Sequence, residues 1–145
     1  MDRRSSPGSA DGRELPLLLP WNRFFWEAGA DDRLLIRRCR DCRSYVHPPV
    51  PRCPSCGGEP VPEAVSGRGR VAAVTVNEHS WGALPAPYVV AIVELEEDPS
   101  VRLTTNLVSC DLEQAQIGLL VEVTFTHAGD VWLPLFRPAA TGKAQ

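Results

Sequence analysis

Two C-x-x-C pairs, Cys39/Cys42 and Cys53/Cys56, stand ten residues apart in a chain of 145 residues. Nothing else in the sequence restricts the fold as strongly. Each C-x-x-C turn aims two sulfurs at one point, and Zn2+ prefers four thiolates in a tetrahedron at about 2.3 Å. The spacing therefore predicts a ribbon closed around one zinc ion by Cys39, Cys42, Cys53 and Cys56. All four coordination positions are then protein, so the zinc is structural and keeps no open position for water or substrate. Disulfide pairing competes only in an oxidising compartment. The apolar run Leu15–Trp21 is too short for a secretory leader, is broken by Pro16 and Pro20, and lacks a small-residue cleavage site. No stretch approaches the roughly 20 apolar residues of a membrane span. A cytoplasmic location is expected, and there the metal reading prevails. Cys110, the fifth cysteine, reads as a small buried hydrophobe.

Around the ribbon the chain divides by composition. Residues 1–20 read as a flexible arm, 21–66 as a helix plus the zinc ribbon, 67–138 as a barrel and 139–145 as a flexible tail. Trp21, Phe24, Phe25 and Ala28 recur at i, i+3, i+4 and i+7, which predicts a short helix over Trp21–Ala28 with Trp26 off its apolar stripe. Pro20 stands at its start and Gly29 just past its end, the usual asymmetry of helix termini. Arg33–Arg38 reads as a strand leading into the first knuckle. Beyond Gly67 the period changes to two. Strands are predicted at Val71–Val76, Tyr88–Leu95, Val101–Leu107, Val121–Thr126 and Trp132–Arg137. Tyr88–Leu95 is almost wholly apolar and reads as a central strand buried on both faces. Pro134 places the last strand at an edge or bulge. Asp111 and Gln114 form a capping-box-like pair, and Gly118 ends the turn. Five strands with a helical turn between the third and fourth predict a mainly β chain: helical segment, four-Cys ribbon and five-stranded OB-type barrel.

Charge restricts function. Residues 67–145 hold five basic residues against nine acidic, a net charge of −4. An acidic barrel is a poor footprint for a phosphate backbone, so a single-stranded nucleic-acid binder is the alternative reading, not the first. Arg37, Arg38, Arg40, Arg43 and Arg52 flank the knuckles and read as counter-charges to the thiolates and as solvated surface. Arg68 and Arg70, between flexible glycines, are candidates to meet a phosphate. His47 reads as a turn residue ahead of Pro48 and Pro49. The loop from Asn77 to Pro87 carries Trp81 and lies where OB barrels bind ligands. The sequence holds no G-x-S-x-G, H-E-x-x-H, P-loop or dinucleotide fingerprint, and no catalytic residue is assigned. Trp21, Phe24, Phe25, Trp26 and Trp81 are interface candidates, because a ribbon of this size has almost no core in which to bury them.

The segments FFWEAGADDRLLIRRCRDC, PPVPRCPSCGGE, GRGRVAAVTV, PYVVAIVELEE, LTTN and LPLFRP, in that order, resemble the bacterial and archaeal domain-of-unknown-function-35 family. The resemblance spans about Trp21–Pro138. It implies an N-terminal helical segment, a rubredoxin-like zinc ribbon and an OB-fold. It also implies an accessory role beside thiolase-type enzymes acting on acyl-CoA thioesters, among them aldolases that cleave steroid side chains. Catalytic residues then belong to the large partner, in a hetero-oligomer such as two plus two. The CoA thioester is a ligand this chain would share, with Arg68 and Arg70 as its phosphate contacts.

Overall fold

The computed structural model describes residues 15–79 and 85–140. Trp81 lies outside them. The elements, in chain order, are a short helix α1 (Arg23–Glu27) continued by a 3-10 turn (Ala28–Asp31), then β1 (Leu34–Cys39), β2 (Tyr45–Val46) and β3 (Pro60–Val65). The barrel strands are β4 (Arg68–Asn77), β5 (Tyr88–Leu95), β6 (Asp98–Leu107), β7 (Leu120–Ala128) and β8 (Val131–Pro138).

The first three strands form an antiparallel sheet in the order β2-β1-β3, and the other five close into a barrel in the order β4-β5-β6-β8-β7. That order, with a 3-10 turn at Leu112–Gln114 between the third and fourth barrel strands, is the OB-type barrel expected. Closure needs twist, and β4 supplies it with a bulge between Val71 and Ala73. The extra residue lets Val71 and Val74 both join the core side of the strand. Asp111 N–H donates to Gln114 Oε1 at 3.0 Å, so the capping box is formed, and Gly118 turns the chain with φ +97°. Pro134 sits on β8 opposite Phe125, where β8 pairs with β7 along its length but with β6 only at Leu107/Phe136. The barrel's seam therefore tolerates a residue with no N–H. The Thr105 hydroxyl donates across it to the Pro134 carbonyl at 3.1 Å.

Strand β5 corrects one expectation. It is central, between β4 and β6, but Val89, Ala91, Val93 and Leu95 are buried while Tyr88, Val90, Ile92 and Glu94 are only half-buried. A closed barrel has one inside, and the alternate residues face out whatever their polarity.

The fold also divides the aromatic interface candidates. Ribbon and barrel share one core: Phe25, Leu34 and Ile36 are buried in the same cluster as Val71, Val93, Leu103 and Phe136. Phe25 is therefore used inside this chain. Trp26 is not exposed off the stripe. It meets Phe25 edge-to-face at 4.8 Å and packs against both this cluster and a second one of Ala128, Val131, Leu133 and Leu135. Leu15 and Leu18, from the stretch read as an arm, pack on that second cluster. Trp21 alone of the helical aromatics is clearly exposed, at 43%.

The helix also ends differently from its sequence signal. Gly29 is buried inside the 3-10 turn, and the left-handed residue that stops the segment is Asp32, φ +60°. A Cβ on Gly29 would overlap Trp132 Cβ and lie 2.7 Å from Phe125 Cδ1. Its role is close approach of the helix to β7 and β8.

His47 is more than a turn residue. Its ring lies 5.5 Å from that of Phe25, and burial pushes its pKa below the ordinary 6.5. The unfolded chain then binds a proton that the folded chain resists, so stability is lost as pH falls through the unfolded value. We expect the unfolding temperature to drop from about pH 7.5 to about pH 5.5 with zinc still bound, and His47→Gln to flatten the drop. An equally steep profile in the variant would assign the effect to other groups.

Candidate metal centre

Two turns of the same design build the site. In the first, Cys39 N–H donates to Ser44 O at 2.8 Å and Arg43 N–H to Cys39 O at 3.1 Å. In the second, Cys53 N–H donates to Gly58 O at 2.9 Å and Gly57 N–H to Cys53 O at 2.8 Å. The residue after each second cysteine is left-handed: Arg43 at φ +66° and Gly57 at φ +79°. Glycine adopts that conformation freely, whereas arginine does so against steric resistance. Backbone N–H groups cover the sulfurs, from Asp41 to Cys39 Sγ at 3.4 Å and from Ser55 to Cys53 Sγ at 3.4 Å. The turns are joined where Arg40 N–H donates to Glu59 O at 3.0 Å.

The four Sγ atoms lie within 4.8 Å of one another, with Cys39–Cys56 at 3.5 Å and Cys42–Cys53 at 3.7 Å. A tetrahedron with metal–sulfur bonds of about 2.3 Å has edges of about 3.8 Å, so the set fits zinc. Cys39 and Cys53 are buried while Cys42 and Cys56 face outward. As thiols they share protons unevenly. Hydrogen bonds from the Ser44 side chain and backbone hold Cys42 down at about 6. Cys56 is drawn down by the Gly58 N–H yet pushed up to about 12 by its bonds to Cys39 and Cys42. Four crowded sulfurs cannot all ionise alone, and a dication removes that conflict. Chemically the centre is closed: four sulfurs saturate a tetrahedral ion and hold two loops together.

Gly58, which sequence reasoning passed over, is part of this centre. A Cβ there would stand 2.9 Å from Cys39 Sγ. Its only signal is the Gly57-Gly58 pair directly after the second knuckle. None of the flanking arginines hydrogen-bonds a sulfur among the described residues. Arg38 and Arg43 both reach Glu63, at 3.1 and 3.3 Å, Arg40 pairs loosely with Glu59 at 3.8 Å, and Arg52 donates to Gly57 O at 3.2 Å. The donors to sulfur are backbone N–H groups, and three of the five arginines pair with the ribbon acids Glu59 and Glu63.

On the barrel, Arg68 and Arg70 line a cleft of about 360 Å³ with Glu94, Glu96 and Leu120. Arg68 grips Glu96 through two nitrogens at 3.0 and 3.4 Å, which draws the Glu96 carboxyl below its ordinary value. Glu94 pairs with Arg102 at 2.8 Å. Arg70 lies opposite Glu94 in register, but its side chain makes no hydrogen bond or ion pair among the described residues. Burial and then Asp111 raise the Cys110 thiol, which is half-buried against the core. His127 is stacked on Trp132 at 4.3 Å. None of the described helices is long and apolar enough to cross a membrane.

Fold and site together define a rubredoxin-type zinc ribbon joined to an OB-type barrel. Residues 26–61 match the model of the ChsH2 rubredoxin-like zinc ribbon domain, and residues 62–126 that of the ChsH2 C-terminal OB-fold domain. The chain belongs to the DUF35 family. It is similar to a DUF35 domain-containing scaffold protein of Methanothermobacter thermautotrophicus, 37% identical over 61% of this chain and 68% of that protein. It is also similar to a probable enoyl-CoA hydratase alpha subunit of Thermomonospora curvata, 40% identical over 88% of this chain, of whose length it spans only 40%. Among solved structures it resembles a chain of the Ltp2-ChsH2(DUF35) aldolase, with TM-score 0.78 and 39% identity, covering 87% of this chain and 100% of that one.

Proposed function

We propose that this chain is a non-catalytic subunit that docks on a thiolase-like partner acting on acyl-CoA thioesters. One observation carries the reading: the constellation of chemically active side chains assembled among the described residues is a four-sulfur site that zinc would saturate. Such a centre supports a scaffold and leaves the reaction to another chain. The likeness to a chain of an aldolase complex supports the kind of partner, and the resemblance read from the sequence extends it to thiolase-type enzymes, those acting on steroid side chains included.

Within this reading Arg70 is the CoA-phosphate contact, since Arg68 is held by Glu96. The partner face is the segment Leu17–Phe24, with Leu17 and Trp21 exposed. The experiment is co-expression with a thiolase-like protein encoded beside this gene, then gel filtration and a thioester-cleavage assay with each subunit omitted in turn. Co-elution is expected, with activity in the complex and none in this chain alone. Separate elution with full activity from the large subunit alone would overturn the reading.

A further inference from the structure

Arg37, on β1, pairs with no carboxylate among the described residues. Its Nη1 donates to Val50 O at 3.3 Å, and its guanidinium carbon lies 5.2 Å from the centre of the Phe24 ring. Its Nε is buried and has no hydrogen-bond partner among the described residues. Nη2 makes no hydrogen bond among the described residues. Arg38, Arg40 and Arg43 reach acids, and Arg52, which like Arg37 reaches only a carbonyl, is exposed to water. A half-buried cation that keeps one carbonyl and one aromatic face is under-compensated, and covering it further without a counter-charge costs free energy.

The surroundings of Arg37 are those of a contact surface. Phe24 belongs to α1, and the turn that leads into α1 holds Leu17 and Trp21 outward, 74% and 43% exposed. That turn is ordered by Asn22, whose Oδ1 accepts from Leu19 N–H at 2.8 Å and whose Nδ2 donates to Leu17 O at 3.2 Å. Exposed apolar groups on the segment that leads to the Phe24 ring, and the arginine over that ring, are the residue types of an interface centre.

We propose that Arg37 is the electrostatic anchor of this surface and receives an Asp or Glu side chain of the partner subunit. The inference rests on the accessory-subunit reading. Charge complementarity selects the occupant: a partner that covers Phe24 desolvates the guanidinium, so it must bring an acceptor, and a carboxylate supplies the missing charge to the outer nitrogens, Nε being buried.

The test uses the full chain and the thiolase-like subunit. Arg37→Met keeps the stem that packs on Phe24; we expect it to retain zinc and its unfolding temperature, weaken the complex by about ten- to hundredfold, and reduce the salt dependence of binding. Arg37→Lys places an amine there, which a carbodiimide can join to a touching carboxylate; mass spectrometry should locate the link between position 37 and an acidic residue of the partner. The proposal is overturned if the wild-type complex forms while Arg37→Met binds equally well. It is also overturned if the link joins two copies of this chain, or if only single-stranded DNA binding falls. A wild-type chain that forms no complex would overturn the accessory-subunit reading instead.

Discussion

Replacing Cys39 by serine is expected to remove the metal, unfold the ribbon and destabilise the barrel with it. Purified wild-type chain should carry about one zinc by elemental analysis. The apparent binding free energy of structural zinc, about 10–16 kcal/mol at neutral pH, is as large as the whole stability of a typical domain, so metal loss is decisive for a segment this small. The ribbon sheet is only three short strands; Val46 packs with Cys39 and Cys53, while Leu34 and Ile36 lie in the barrel's cluster. When the ribbon opens, Leu34 and Ile36 leave that cluster. The barrel should therefore melt earlier even though none of its own residues changed. Thiolates bind zinc in competition with protons, so acid should release the metal and produce the same state. A chelated preparation that stays fully folded, or a Cys39→Ser chain with an unaltered barrel transition, would contradict this.

Ile36→Ala is expected to have the next largest effect. Ile36 is fully buried on β1, a ribbon strand, yet it packs within the cluster formed with β4–β8 residues. Truncating a fully buried isoleucine costs about 2–5 kcal/mol through lost transfer energy and the cavity left behind. In a chain of this size that corresponds to a fall in unfolding temperature of roughly 10 °C. The informative readout is the coupling. Zinc release followed with a chelating dye and the tryptophan signal of Trp26 and Trp132 should shift together, because one core serves both parts. A shift in zinc release with no change in the tryptophan transition would mean that ribbon and barrel are energetically separate.

Much of this follows from residue type and spacing alone. The four sulfurs, their closed coordination and the absence of a substrate position come directly from two C-x-x-C pairs, because knuckle geometry is local to about six residues. The five barrel strands and the capped turn at Asp111–Gln114 are equally local, since period-two alternation and a capping box need no distant partner. What tertiary structure decided is which apolar groups remain outside. The stripe Trp21, Phe24, Phe25 and Ala28 looks unpartnered beside a ribbon with no core, but the barrel supplies that core from residues far along the chain, taking Phe25 and wedging Trp26. Gly29 carries a helix-end signal in the sequence and is instead the point where helix and barrel touch. The arginines divide in the same way. Their density near the knuckles is visible in sequence, but which are neutralised depends on Glu63 and Glu59, brought alongside by β3 and the chain leading into it, and Arg37 is left to the ring of Phe24. Apart from Arg23–Glu27 within α1, a charge's partner here is set by folding, because the ion pairs join residues that the strands bring side by side.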